Sequence, residues 1–363
     1  MRQLGISVYP GHRSMEENIE YIKLAHKYGF KRIFTCLLSV DGDKEKIVNE
    51  FKETIAVANS LDFEVIADVS PRVFGALGIS YDNLTFFNEL GVYGIRLDMG
   101  YSGLEESLMT FNPFGLNIEI NMSNGTKYID NIMSYKPNTE KLLGCHNFYP
   151  HRYSGLSYGH FIYCSKQFKK YGMKTAAFVS SKDATFGPWP VNEGLCTLEI
   201  HRDLPIDVQT KHLFSTGLVD TVIIANAFAS EKELKALSKV NKEILTFNTT
   251  LVNNIPEIEK NIVLDELHFN RGDISNYLIR STQSRVKYKG HEFTPFNTKE
   301  IKRGDIVIDT SLYGHYAGEL QVALKDMENS GKTNVVGKIA EEEIFLLDYI
   351  EPWQKFKFKE KNY

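Results

Sequence analysis

The chain of 363 residues is longer than one ordinary domain, so a large domain followed by a smaller one is the natural expectation, with enough apolar content (42%) for a sizeable core. A formal net charge of −4 leaves no electrostatic footprint for nucleic acid or an anionic membrane surface, and no run of about 18 apolar residues is present to span a bilayer. Cys36, Cys145, Cys164 and Cys196 lie far apart without a CxxC pair, which argues against a disulfide framework or structural zinc and suits a reducing, cytoplasmic compartment.

The N-terminal MRQLGISVYPGHRS is a short apolar run broken by Pro10 and Gly11, and it reads as a first core strand rather than a signal peptide. Seven further apolar runs follow at intervals of roughly 30 residues, the size of a strand plus a crossover helix. They are RIFTCLL from Arg32, FEVIADV from Phe63, GIRLDM from Gly94, LNIEINM from Leu116, KLLGCH from Lys141, KTAAFVS from Lys174 and TVIIAN from Thr221, after LGISVY from Leu4. Between them lie helical stripes with start and stop signals. Ser14 and Glu17 have capping-box spacing before Ile19, Ile22 and Ala25, and Gly29 closes that helix. Ile47, Phe51, Ile55 and Ala58 share a second face; Leu84, Phe87 and Leu90 precede Gly91; Phe161, Cys164 and Phe168 precede Gly172. Ser230 and Glu233 repeat the capping box before Leu234, Leu237 and Val240. Eight strand-helix units with no GxGxxG or GxxxxGK[ST] loop predict a closed (β/α)8 TIM barrel rather than an open doubly wound sheet.

Beyond about residue 245 the helical stripes fade, and short alternating runs such as VKYKG, DIVIDT and NVVGKI between Gly-Asp turns predict a small β-rich domain. The expected division is a barrel over 1–243, a linker over 244–261 and the β-rich domain over 262–363.

In such a barrel the chemistry sits at the C-terminal ends of the strands, which turns sequence position into candidates. Asp68 ends the third strand, Arg96 and Asp98 the fourth, Glu119 and Asn121 the fifth, and Cys145, His146 and Asn147 the sixth. Arg96 and Asp98 share parity, so both should point inward. The long connection SSKDATFGPWPVNEGLCTLEIHRDLP after the seventh strand brings Glu193, Glu199, His201 and Arg202 to the same end. Structural readings stand beside these: Arg96 with Glu119 as a buried ion pair, Asp68 as a turn cap through Ser70, Glu199 as a first-turn carboxylate.

In GCHNFYPHRYSGLS, residues 144–157, histidines are interleaved with Phe148, Tyr149 and Tyr153, and nothing resembles HExxH. Aromatic faces beside amide donors suit a sugar ring better than a metal. Two carboxylates facing a sugar are the minimum equipment for glycoside hydrolysis, with Asp98, Asp68, Glu119 and Glu199 as candidates. Asp98 with Glu199 is the leading pair by strand position.

GISVYP, ADVSPRVFGALGIS, GIRLDMG, GCHNFYPHRYSGLS, GPWPVNEGLCTLEIHRDLP, NRGDISNYLIRSTQSRVKY and YGHYAGELQVAL, in that order, resemble the bacterial 6-phospho-N-acetylmuramidase family over nearly the whole chain. The resemblance implies a TIM barrel followed by a cyclophilin-like domain. It also implies an exo-acting glycosidase that releases N-acetylmuramic acid 6-phosphate from its disaccharide with N-acetylglucosamine during cytoplasmic recycling of cell-wall fragments. Cys196 stands in GLCTLE where the family usually has proline. No metal or cofactor is implied, and the partner is a phosphorylated amino-sugar disaccharide. It carries a phosphate and a lactyl carboxylate, so cations are expected around it: Arg96, His146, Arg202, Arg271, Arg280 and Arg285, with Ser281 inside RSTQSR. On that reading the second domain closes over the barrel mouth. The competing functions are a barrel isomerase or lyase acting on a phosphorylated sugar and a non-catalytic sugar-phosphate sensor.

Overall fold

The computed structural model describes residues 2–37, 44–69, 74 and 79–361. The chain divides into two compact units, Met1–Val240 and Asn241–Tyr363.

The first unit is a closed eight-stranded parallel barrel in which each strand pairs with the next in sequence and β1 closes on β8. The strands are β1 Gln3–Ser7, β2 Arg32–Cys36, β3 Glu64–Val69, β4 Gly94–Leu97, β5 Asn117–Asn121, β6 Leu142–Cys145, β7 Lys174–Val179 and β8 Thr221–Ile224. All eight predicted runs are strands, because a strand buried on both faces can be apolar at every position. One face of each carries residues such as Ile33, Val65, Ile95, Ile118 and Val222, which pack with the surrounding helices. The other carries Phe34, Cys36, Cys145, Ala176, Phe178 and Ile223, which fill the barrel. Phe178 anchors that interior, its ring 5.1 Å and edge-on from both Phe34 and Phe148. Gly94 opens β4 because a Cβ there would stand 2.5 Å from the Asn117 carbonyl.

The α-helices of this unit among the described residues are α1 Met15–Lys27, α2 Lys44–Ser60, α3 Thr85–Leu90, α4 Leu104–Met109, α5 Tyr128–Ser134, α6 Tyr158–Lys169, α7 Ile206–Ser215 and α8 Glu231–Ser238. Both predicted capping boxes are present, at Ser14 with Glu17 and at Ser230 with Glu233. On α2, Phe51, Ile55 and Ala58 are buried as the stripe predicted. The side chain of Ile47, together with Leu38 and Ser70, lies outside the described residues.

The second unit is a β-rich, nearly closed barrel of seven strands in the order β10-β15-β9-β14-β12-β13-β11. These are β9 Leu245–Leu251, β10 His268–Phe269, β11 Leu278–Ser281, β12 Asp305–Asp309, β13 Leu320–Ala323, β14 Thr333–Ile339 and β15 Lys355–Glu360, with helices α9 Glu257–Asp265 and α10 Gln283–Lys287. The stretch 244–261, expected to be a linker, instead supplies β9 and the start of α9. LTFNTTL alternates: Leu245, Phe247 and Thr249 are buried and Thr246 and Asn248 less so, so β9 takes an interior place between β15 and β14. No helix of the described residues is long and apolar enough to cross a membrane.

Candidate active site

Adjacent parallel strands bring inward residues of equal height side by side. The register pairs Cys36 with Asp68, Asp68 with Arg96, Arg96 with Glu119, and Asn121 with Cys145. Arg96, buried near the end of β4, is the centre of the resulting cluster. Its Nη1 donates to Asp68 Oδ1 at 2.6 Å and lies 3.5 Å from Asp98 Oδ1, and its Nη2 donates to Asn147 Oδ1. Asn147 is held in turn by its N–H on Ser123 Oγ (2.8 Å) and by Thr197 Oγ1 donating to its carbonyl (2.9 Å). Asn121 Nδ2 donates to the Asp98 carbonyl at 3.2 Å and fixes the backbone where Asp98 leaves the strand. Tyr149 stands beside this group, tied by its N–H to the Cys196 carbonyl; burial pushes its phenol up.

The two aspartates differ in environment. The Asp68 side chain is only 8% exposed, whereas Asp98 is 38% exposed. Burial pushes Asp68 up to about 6, against the opposing pull of Arg96. One guanidinium shared between two carboxylates does not offset the desolvation of the deeper one. Arg96 itself is held charged: burial opposes its charge, and the nearby carboxylates outweigh that.

Other predicted site residues occupy different surroundings. Glu119 is buried and pairs with Arg32, which opens β2, so it is drawn toward the N-terminal side of the barrel rather than to Arg96. Arg32 was not among the candidates, although its parity with Phe34 and Cys36 marks it as inward-facing. Glu199 is fully engaged. Oε1 accepts from Tyr153 N–H (2.8 Å) and Arg202 Nε (2.7 Å), and Oε2 from Gly155 N–H (2.8 Å) and Arg202 Nη2 (2.6 Å). Gly155 is required there, because a Cβ would lie 2.7 Å from Glu199 Oε2. The Arg202 bonds, with those backbone donors, hold the Glu199 carboxyl down at about 2. Glu199 is thus held as an ionised carboxylate that clamps residues 153–155 to the long loop after β7.

Arg202 completes the clamp through Nη1, which donates to the carbonyls of Tyr149, Glu193 and Gly194. Glu193 accepts the Arg152 N–H at 3.0 Å near the surface. His201 is buried with Nε2 2.9 Å from His212 Nδ1. His146 is also fully buried, its ring nitrogens 3.1 Å from Ser123 Oγ and 2.9 Å from Ser165 Oγ, and burial lowers it to about 3. Its ring lies 4.7 Å from that of Phe161 of α6 and tilted by 33° to it, on the helix side of β6. In the second unit, Arg271 forms a two-point pair with Asp273, Ser281 Oγ lies 3.1 Å from His268 Nδ1, and Arg280 and Arg285 both face Glu319. Among the described residues no group of three or more His, Cys, Asp or Glu side chains is arranged to hold a metal ion.

Glu199→Gln places an amide NH2 against two existing donors. The barrel unit should lose roughly 2 kcal/mol, lowering Tm by roughly 4–8 °C, while kcat falls less than about tenfold. Thermal melts beside steady-state rates check this. Because the folded carboxyl is depressed, its contribution is complete above the ordinary value near 4.5 and disappears as pH falls toward about 2, so the wild-type advantage should shrink across that acid range.

Two family models cover nearly the whole chain: "6-phospho-N-acetylmuramidase, N-terminal" over residues 4–239 and "6-phospho-N-acetylmuramidase, C-terminal" over 245–359. A crystal structure of an uncharacterized B. cereus protein is similar at 50% identity and a TM-score of 0.91, covering 99% of each chain. A conserved protein of unknown function from Enterococcus faecalis is similar at 25% identity and a TM-score of 0.69, over 99% of this chain and 97% of that one. No curated protein sequence matches significantly.

Proposed function

The chain belongs to the 6-phospho-N-acetylmuramidase family of glycoside hydrolases, and from that premise we propose that it hydrolyses the bond between N-acetylmuramic acid 6-phosphate and N-acetylglucosamine, as an exo-acting enzyme of cytoplasmic peptidoglycan recycling. The observation that carries the reading is the Asp68–Arg96–Asp98 cluster at the ends of β3 and β4. It supplies one protonatable carboxyl and one open carboxylate around a single cation.

Asp68 is the acid. A carboxyl near 6 keeps a usable fraction of its proton at neutral pH and can give it to the glycosidic oxygen as that bond to the anomeric carbon breaks. N-acetylglucosamine then leaves with a free hydroxyl. Asp98 attacks the anomeric carbon and forms a glycosyl ester. Water, deprotonated by the Asp68 carboxylate, displaces Asp98 and frees the phosphorylated muramic acid. Retention is favoured by spacing. Both Oδ1 atoms contact the same nitrogen, so they are separated by at most those two contacts laid end to end, about 6 Å; retaining pairs stand about 5–5.5 Å apart and inverting pairs about 6.5–9.5 Å. The exposed ring of Tyr153 and that of Tyr149 offer flat apolar faces to a pyranose.

Incubation with the 6-phosphorylated disaccharide and its unphosphorylated counterpart, followed by mass spectrometry, tests the substrate. The expected result is two monosaccharides from the phosphorylated compound, one water heavier in sum than the disaccharide, with little turnover of the other. An isomer or a product one water lighter, lost on adding chelator, would instead identify an isomerase or lyase; binding without turnover would identify a sensor.

A further inference from the structure

The second unit contains a cavity of about 420 Å³ whose lining, among the described residues, comes from that unit. Its size falls within the about 300–1,000 Å³ typical of small-molecule sites. Leu278, Ile301 and Met327 supply apolar wall, while Tyr313 and Tyr316 present aromatic rings.

The polar side is built. Arg280 lines the cavity and is locked by Glu319, with Nε 2.8 Å and Nη2 2.7 Å from Oε1. Its Nη1 makes no hydrogen bond among the described residues. Arg285 Nη1 lies 3.0 Å from the other Glu319 oxygen. Both guanidinium groups approach the Tyr316 ring, at 5.8 and 5.2 Å from its centroid. Of the two arginines only Arg280 lines the cavity; the fully buried Glu319 carboxylate holds its guanidinium in place before any ligand arrives, and Glu328 adds a carboxylate elsewhere on the wall. Opposite in chemistry, Asp309 accepts from Gln321 Nε2 (3.0 Å) and Thr333 Oγ1 (2.9 Å), all three residues lining the cavity. Burial pushes Asp309 up to about 7, so it can meet an incoming anion as a neutral donor.

We propose that this cavity is a binding site for a monosaccharide-sized anion, a sugar phosphate or sugar carboxylate, whose charge is taken by Arg280 and whose ring lies against Tyr313 and Tyr316. The site is self-contained and does not depend on the hydrolytic reading of the barrel.

The test is titration of the full-length protein with N-acetylglucosamine 6-phosphate, glucuronic acid and neutral N-acetylglucosamine, read by hydrogen exchange of peptides containing 278–281 and 320–323. At least one anion should slow exchange in both peptides while the neutral sugar does not, and the tighter of the two identifies the anionic group. Arg280→Gln should weaken that protection about tenfold or more. Tyr313→Ala, at a half-exposed side chain whose loss does not threaten folding, should weaken it about threefold. Absence of protection in both peptides with either anion, or protection unchanged in both variants, overturns the site. Hydrolysis is not read in this measurement, so its loss or presence leaves the outcome unaffected.

Discussion

Asp98→Asn should abolish hydrolysis of the phosphorylated disaccharide, with kcat lowered about 10³-fold or more, while the protein remains folded and still binds substrate. The side chain is partly open to solvent and, among the described residues, has one ion-pair partner, Arg96 at 3.5 Å, so an isosteric amide removes negative charge without opening a cavity. On the proposed mechanism, what disappears is the attacking oxygen. The loss should therefore fall on kcat and on kcat/KM alike, the mark of an interaction made in the transition state. Steady-state rates with a melting curve check it, and a variant retaining a tenth of wild-type kcat would remove Asp98 from the mechanism. NMR of the first-formed sugar anomer adds an independent reading, since retention is expected.

Asp68→Asn should lower kcat on the disaccharide by about 10²- to 10⁴-fold, the usual range for a positioned general acid. The same variant should be far less impaired in the first chemical step on an aryl glycoside of N-acetylmuramic acid 6-phosphate. A phenolate leaves without being protonated, so the burst of released phenol should survive. In the wild type, the acid form dominates below about 6 and falls tenfold per pH unit above it, so kcat/KM for the disaccharide should decline on the alkaline side from near pH 6. That limb should be missing for the aryl substrate in Asp68→Asn. Equal loss on both substrates would assign Asp68 to structure, as the inner partner of Arg96.

Much of the architecture was legible because strand and helix periods are local. Capping-box spacing at Ser14 and Ser230 marked two helix starts, and the eight apolar runs marked eight strands. The site was legible in part by the same rule. Asp68, Arg96 and Asp98 meet because parity and strand ends put them there. Parity also contains the answer for His146: with Cys145 in the barrel interior, its neighbour faces the helices, where Ser165 receives it. The LTFNTTL alternation likewise held β9, hidden by the polar threonines and asparagine around it.

Glu199 and Glu119 could not be ranked from sequence. The long loop after β7 has no period, so the Arg202 fork and the backbone donors of Tyr153 and Gly155 that saturate Glu199 meet only after folding. Glu119 has the inward parity of a site residue, but Arg32 draws it toward the other end of the barrel.

By itself the sequence determined the two-part division in outline, the closed parallel barrel, the inward direction of Arg96 and Asp98, the placing of Asp68 at a strand end, and the family. Tertiary structure alone decided which carboxylate is desolvated, which is neutralised by an arginine fork and which remains open. Side-chain direction follows from a two-residue repeat that any short window contains. Burial and charge pairing are sums over atoms brought together from distant parts of the chain, and no window holds them.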